Sequence, residues 1–457
     1  MWLLLISIIV LGSFNCLCAD LRNPELQSNY LIIYHEEYKD DIIDFHKWRE
    51  TKGYKVTSVN LTDIVNEFPS DNKFDTTKAI QNFTEYIIEN WANPKLEYLL
   101  LIGSINHIPS VKIESFFHGS TFILEDSVHT DVYYTMIPAK SLREYYFAIG
   151  RFPARNRNEL VSMFSKTYLY EDNYRKINFS KDVIHVTDLE DSVIFNKFSR
   201  ALLNYYPNSN RTLRLPFVTE KSLEEFRYDF INALSEGTSF LGYIGHGHQF
   251  KWSRSIIIDT EFLDTLSVKS PPFIFYSLSC SHSFDDPEKK SIVEQLISKE
   301  DFGAVATVSS SAVTYDAING FYLEKFLQAF ITGDDVTIGS SMTKVRTGNP
   351  YFDNIMNLMG DPALKVPYYI IASVYDEINQ DDVLIYPNPA IESITIQVNI
   401  HPFEHLSIMD INGKEIKNHL VGSNNILTIN VNELQSGTYF IKMNQGDKLV
   451  LKKFIKL

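Results

Sequence analysis

Two uninterrupted apolar runs, Tyr30–Tyr34 (YLIIY) and Tyr98–Ile102 (YLLLI), constrain this chain more than any other feature. Neither alternates polar with apolar, so each reads as a strand buried on both faces, the condition met by a parallel sheet covered by helices on both sides. What lies between them agrees. Ile42, Phe45 and Trp48 share one helical face that stops at Gly53, Tyr54–Val59 reads as a second strand, and Ile80, Phe83, Ile87 and Trp91 recur at helical spacing. The order is βαβαβ, which places the chain in the α/β class. A further short strand is predicted at Tyr146–Ile149, running into IGRFPARN.

After a tyrosine-rich helical connection the alternation restarts. Val183–Val186 reads as a strand, Phe198, Leu202 and Tyr205 as a helix face, and Leu223, Phe226, Phe230 and Ala233 as another. Phe240–Ile244, Phe273–Leu278 and Ala304–Val308 then read as three more buried strands. A length of 457 residues accommodates about three folded units. The predicted division is a first α/β subdomain over 20–165 and a second, catalytic one over 166–370. The cluster Asp376, Glu377, Asp381 and Asp382 before Pro387-Asn388-Pro389 marks a linker over 371–382. From 383 to 457 the pattern changes to short alternating strands with a hairpin signal at Asp410-Ile411-Asn412-Gly413, the pattern of a small all-β sandwich.

Charge excludes one class of partner. Lys plus Arg total 42 against 57 Asp plus Glu, a net charge of −15, which argues against a phosphate-tracking surface, and no nucleic acid is expected. The final 75 residues hold seven lysines and six acids, so nearly all the negative charge lies upstream. The apolar run Trp2–Leu11 has signal-peptide length, with Leu17-Cys18-Ala19 offering a cleavage point before Asp20. Residues 1–19 are therefore expected to be an export signal, and no transmembrane segment is expected in the mature chain. Cys16 and Cys18 leave with that peptide. Cys280 then stands alone, either an inert buried thiol or a nucleophile.

Its neighbours favour the nucleophile. Phe240–Ile244 ends in Gly245-His246-Gly247-His248, and Phe273–Leu278 ends in Ser279-Cys280-Ser281-His282. Both are strand C-ends, the edge where ligands collect in open α/β sheets, and the residues between His246 and Cys280 suffice for a crossover to a neighbouring parallel strand. An adjacent imidazole lowers a thiol pKa, and the thiolate can attack a carbonyl to form a thioester acyl-enzyme that water later cleaves. The backbone N–H groups of Gly247 and Cys280 are candidates for holding the developing oxyanion. The plain alternative is a tight turn at GHG and a small buried Cys280.

With these residues in view, the chain resembles the gingipain-like cysteine peptidases, of the caspase-like clan. The likeness runs from about Tyr30 to Val366 through DFHKWRETKGYKV, LLLIG…IPS, TDVYY, IGRFPARN, YIGHG, PPFIFYSLSC, GAVATVSSS and NLMGDPALKV, all in order. It implies two caspase-like parallel-sheet units, with His246 as general base or ion-pair partner and Cys280 as nucleophile of an endopeptidase that needs no cofactor for catalysis. It further implies protein or peptide substrates and calcium as a structural ion, although no loop spells a recognisable calcium site. Ser104 stands where the family often carries an acid after LLLIG. Trp252 keeps the family's spacing after the histidine, Tyr315 falls near an aromatic lid, and Asp188 and Asp191 are candidates for binding a basic substrate side chain. The last 75 residues, with YPNPA, SGTYFIKM and a basic final strand, resemble the sorting domain of the type IX secretion system. That implies its export machinery as a partner and a secreted or cell-surface location.

Two rivals compete with the peptidase. A metal-dependent hydrolase would use His246, His248 and His282 with Asp285 or Asp286. A catalytically inactive surface adhesin would suit the tail equally well, but it leaves the intact Cys280 and His246 pair without a purpose.

Overall fold

A computed structural model describes residues 20–72, 75–116, 127–172, 183–206, 212–216, 221–282, 284–332, 336–345, 347–365, 383–398, 405–410, 414–420, 426–445 and 448–457. The predicted export signal over 1–19 and the linker over 371–382 lie outside the described residues, as does most of the hairpin signal after Asp410.

The first series supplies strands β1 (Tyr30–Tyr34), β2 (Val56–Asn60), β3 (Tyr98–Ile102), the hairpin β4 (Val111–Glu114) and β5 (Ser127–Thr130), and β6 (Ala148–Phe152). Its helices are α1 (Ile42–Thr51), α2 (Leu61–Glu67), α3 (Thr76–Asn90) and α4 (Arg157–Asp172). The second series supplies β7 (Val183–Thr187), β8 (Thr212–Pro216), β9 (Phe240–Ile244), the two-residue strands β10 (Gly247–His248), β11 (Lys251–Trp252) and β12 (Ile258–Asp259), then β13 (Phe273–Leu278), β14 (Ala304–Ser310) and β15 (Met356–Met359). Its helices are α5 (Ser192–Leu203), α6 (Leu223–Glu236), α7 (Thr260–Thr265), α8 (Ile292–Ser298), α9 (Asp316–Thr332), α10 (Ile338–Lys344) and α11 (Pro350–Asn354).

Both series join one ten-stranded sheet of order β2-β1-β3-β6-β15-β14-β13-β9-β7-β8. Every pairing in it is parallel except β14 with β15. The two parallel halves therefore run in opposite directions, and their C-terminal edges face opposite ways. β15 comes late in the chain yet completes the first half, and the predicted division at 165/166 falls inside the continuous helix α4.

The uninterrupted apolar strands are explained by their two faces. Leu31, Ile33, Leu99 and Leu101 pack with Ile80, Phe83 and Ile87 of α3. The alternate residues Tyr30, Ile32, Leu100 and Ile102 pack with Phe45 of α1 and Leu160 and Phe164 of α4. In the second half, Tyr276 and Leu278 face Phe195 of α5 and Phe326 of α9, while Tyr243 and Phe275 face Phe230 of α6 and Leu296 of α8. Each strand thus buries both faces, and its end is held in place by two layers of helix.

Two motifs are structural. Arg151 of IGRFPARN is fully buried in β6, donating from Nε and Nη2 to Asp131 of TDVYY at 2.7 Å each and from Nη1 to the Gly103 and Ile108 carbonyls at 2.8 Å. Arg49, also buried, is shared between Asp361 and Glu171, and Tyr30 donates its hydroxyl to Asp361 at 2.8 Å. β6 begins at Ala148 and not at the predicted Tyr146, because its pairing with β3 starts at Ala148 opposite Tyr98.

The tail is the predicted all-β unit. Strands β16 (Val383–Tyr386), β17 (Ser393–Val398) and β20 (Ile426–Asn430) form one sheet, and β18 (His405–Met409), β19 (Glu415–Leu420), β21 (Gly437–Gln445) and β22 (Lys448–Lys456) the other. Ile394, Ile396, Ile408, Ile441 and Phe454 fill the core between them. Among the described residues no helix is long and apolar enough to cross a membrane.

Candidate active site

β9 and β13 are parallel neighbours with Ile244 opposite Leu278, and the Gly245 N–H donates to the Leu278 carbonyl at 3.0 Å. His246 and Cys280 each lie two residues beyond those paired positions, so both emerge at one edge of the sheet. The crossover expected from their spacing is present: α7 lies between the two strands.

The histidine loop is held from several sides. Its N–H donates to Asp188 Oδ2 at 3.2 Å, and its carbonyl accepts from the Ser253 N–H at 2.8 Å and the Tyr243 hydroxyl at 2.5 Å. The His246 ring sits edge-on to Phe195, centroids 5.3 Å apart, with Nε2 3.0 Å from Asp191 Oδ2. Asp191 adopts a left-handed backbone (φ 52) at the start of α5, a conformation that aspartate tolerates better than most residues. Occupation of Nε2 by this carboxylate leaves Nδ1 as the other proton-transfer position of the ring.

Cys280 is half-buried, and its thiol lies 3.4 Å from the Thr314 carbonyl. The chain turns sharply at Ser281 (φ 48), after which Ser281 and His282 donate to the Ala312 and Ser310 carbonyls at the end of β14. Buried Asn319, on α9, donates to the Ser279 carbonyl at 3.2 Å and so fixes the peptide that precedes the cysteine. Burial pushes the Asp316 carboxyl upward; Asp191 adds to that rise and His246 opposes it, so a second acid borders the imidazole.

Gly247 directly follows His246 and opens β10, and its smallness answers a neighbour within the protein. A Cβ there would lie 1.8 Å from Ser279 Oγ and 2.8 Å from the Cys280 carbonyl. Gly247→Ala is therefore expected to displace the Ser279-Cys280 peptide and lower peptide turnover by about tenfold or more while the cooperative melt is kept. Steady-state kinetics on the variant, compared with its melting curve, check this.

Three expectations need correction. Asp188 is not open to a substrate: it is buried, Oδ1 accepts from Ser253 Oγ at 2.8 Å and from the Glu190 N–H at 3.3 Å, and Oδ2 holds the His246 N–H. Trp252 is a fully buried core residue, stacked on Tyr243 at 4.6 Å and on Phe275 at 5.5 Å, and it pairs with Gly247 across β10 and β11. The rival metal trio is not brought together. Burial lowers the His282 pKa to about 3, with His248 adding to the effect, and its Nδ1 meets Ser277 Oγ at 3.1 Å. Asp285 accepts from Gln249, and Asp286 from two backbone N–H groups. Tyr315 is half-exposed directly after the Thr314 carbonyl that meets the thiol, with its ring 5.7 Å from Phe352. Asn319 and Thr314 had no local signal in the sequence, since their roles arise only when α9 returns beneath β13.

The model of Peptidase family C25 matches residues 23–367, three quarters of the chain. The chain belongs to this family. Gingipain R2 and gingipain R1 of Porphyromonas gingivalis are each 23% identical to it over 265 residues, 54% of this chain. That match takes up 31% and 23% of those two proteins, so the chain spans under a third of the length of these curated relatives. The crystal structure of the Arg-specific cysteine proteinase gingipain R covers 94% of this chain and 98% of its own, with a TM-score of 0.59 at 15% identity. A structure described as a protease gives 0.61 at 16% identity over 93% of this chain and 96% of its own. The fold of this C25 chain is therefore the gingipain fold. Residues 384–457 match a secretion system C-terminal sorting domain, which makes it a secreted or cell-surface protein.

Proposed function

We propose that this C25 chain is a cysteine endopeptidase in which Cys280 is the nucleophile and His246 its proton-transfer partner. The observation that carries the reading is the register of β9 on β13, which delivers both residues to one edge, together with the Asp191 carboxylate on His246 Nε2. The thiolate attacks the scissile carbonyl carbon, and the oxyanion that forms is held by the Gly247 and Cys280 N–H groups. The C–N bond breaks as protonated His246 gives its proton to the departing amine, leaving a thioester on Cys280. His246 then takes a proton from water, whose oxygen replaces the sulfur. Asp191 orients the imidazole throughout.

Arg specificity is a property stated of the crystallised relative. With Asp188 spent inside the protein and Asp191 engaged by His246, we assign this chain no side-chain preference. Its substrates are peptides or proteins met outside the cell, and its sorting tail engages the type IX export machinery.

Alkylation of the full chain tests the dyad. Near neutral pH an unassisted thiol is only a few per cent thiolate, whereas an imidazolium neighbour makes the thiolate the major form. His246→Ala is expected to slow alkylation of Cys280 by about tenfold, in parallel with lost turnover. An unchanged alkylation rate would show that the two side chains are not coupled.

A further inference from the structure

We propose that His35, Glu37 and His107 form a binding site for a zinc-class divalent cation, separate from the peptidase centre. His35 directly follows β1, Glu37 lies in the 3-10 turn Glu36–Tyr38, and His107 lies in the loop after β3. β1 and β3 are paired with Tyr34 opposite Ile102, so all three residues gather at the C-terminal edge of the first half of the sheet. It is the counterpart of the edge that carries Cys280 in the second half.

One potential ligand atom from each residue lies within 4.8 Å of the other two, the group of this kind found among the described residues. His107 Nε2 is 3.2 Å from Glu37 Oε2. Two ligands held at 2.0–2.1 Å around tetrahedral zinc are separated by about 3.3 Å, so this pair already has the spacing of a tetrahedron edge. The His35 and His107 rings meet edge to face with centroids 5.0 Å apart, and a modest inward movement of His35 completes three ligands. His35 gives up a long 3.4 Å contact between its Nδ1 and the Glu37 N–H in doing so.

The surroundings fit a metal-binding histidine. His107 Nδ1 is 3.0 Å from Ser104 Oγ, at the position after LLLIG where the sequence departs from its family's habit. A hydroxyl both donates and accepts, so Ser104 serves the ring while Nε2–H donates to Glu37 and also after Nε2 has lost its proton to bind metal. Gly103 (φ +131) lets the chain turn close to this ring, since a Cβ there would lie 2.6 Å from His107 Cβ. His107 is mostly buried and the Glu37 side chain is half-exposed, while His35 and His107 line a cavity of about 510 Å³, together with Ile105 and Asp75, that has room for water as a fourth ligand. Two imidazoles and one carboxylate select zinc-class ions over calcium or magnesium, which need more oxygen donors. A bound ion would tie the loops after β1 and β3 together.

The test uses the full chain carrying Cys16→Ala, Cys18→Ala and Cys280→Ala, so that no thiolate competes for the metal. Calorimetric titration of metal-free protein with zinc chloride is expected to show a site whose affinity falls about tenfold or more in His107→Ala and in Glu37→Gln, and about tenfold in Ser104→Ala. Cobalt substitution should give a tetrahedral absorption band that these variants lose, and excess calcium should not displace it. Glu37→Gln is nearly isosteric at a half-exposed position, so it tests the site even if His107→Ala fails to fold. Zinc binding of equal strength in the parent and in Glu37→Gln, displacement by calcium, or no binding to the parent would overturn the assignment and leave His107 and Glu37 as a plain ion pair.

Discussion

Cys280→Ala is expected to lower peptide turnover by on the order of 10⁴-fold or more, with no loss of thermal stability. The size of the effect follows from the lack of a substitute. The chain has three cysteines, the other two lie before Asp20, and an alanine methyl cannot form the thioester. Stability should hold because the thiol is only half-buried and its hydrogen bond to the Thr314 carbonyl is a long one. Asp191→Asn provides the graded comparison. It removes the carboxylate charge beside His246 Nε2 while keeping the side-chain shape, so it should lower turnover far less than removal of the sulfur does. Peptide kinetics on the two variants decide the matter. Residual turnover in Cys280→Ala at a few per cent of the parent would remove Cys280 from the mechanism.

The parts of this molecule that were legible in sequence are those whose physics is local. A strand covered on both faces must be apolar throughout, which is why YLIIY, YLLLI and FIFYSL announce themselves. His246 and Cys280 stand out because each follows such a run directly, and in a parallel sheet a strand's end is an open edge. The reversal of direction between β14 and β15 was not legible, since β15 is four residues long and pairs across both halves through a partner set by the whole topology. Asp188 and Asp191 are three residues apart and look alike in sequence. One left-handed residue at the start of α5 separates their fates, turning Asp191 toward the imidazole while Asp188 stays beneath the histidine loop. Trp252 misled for a similar reason: its spacing from His246 is real, but it reflects the stack on Tyr243 that anchors the loop and not a surface for substrate.

Arg151 is the position whose loss should cost the fold most. An arginine inside IGRF gives no sequence sign of being buried, because its partner Asp131 lies 20 residues upstream, directly after β5. Yet its guanidinium is wholly enclosed and binds both carboxylate oxygens of Asp131 and two carbonyls, joining β6 to the loop after β3 and to the segment after β5. Arg151→Met fills similar space but strands the Asp131 charge and two carbonyls without donors. Breaking a buried pair from one side costs about 3–5 kcal/mol, and for a unit of this size that corresponds to a melting temperature lower by on the order of 10 °C. Removing both charges is milder, because no uncompensated ion remains. The double variant Arg151→Met with Asp131→Leu should therefore melt higher than Arg151→Met alone, while both keep wild-type turnover per folded molecule, since neither residue lies at the edge that carries Cys280. Melting curves of the parent, Arg151→Met, Asp131→Leu and the double variant measure the coupling. If the double variant loses as much stability as the two single changes added together, the pair contributes as two independent packing residues and the buried-charge account is wrong.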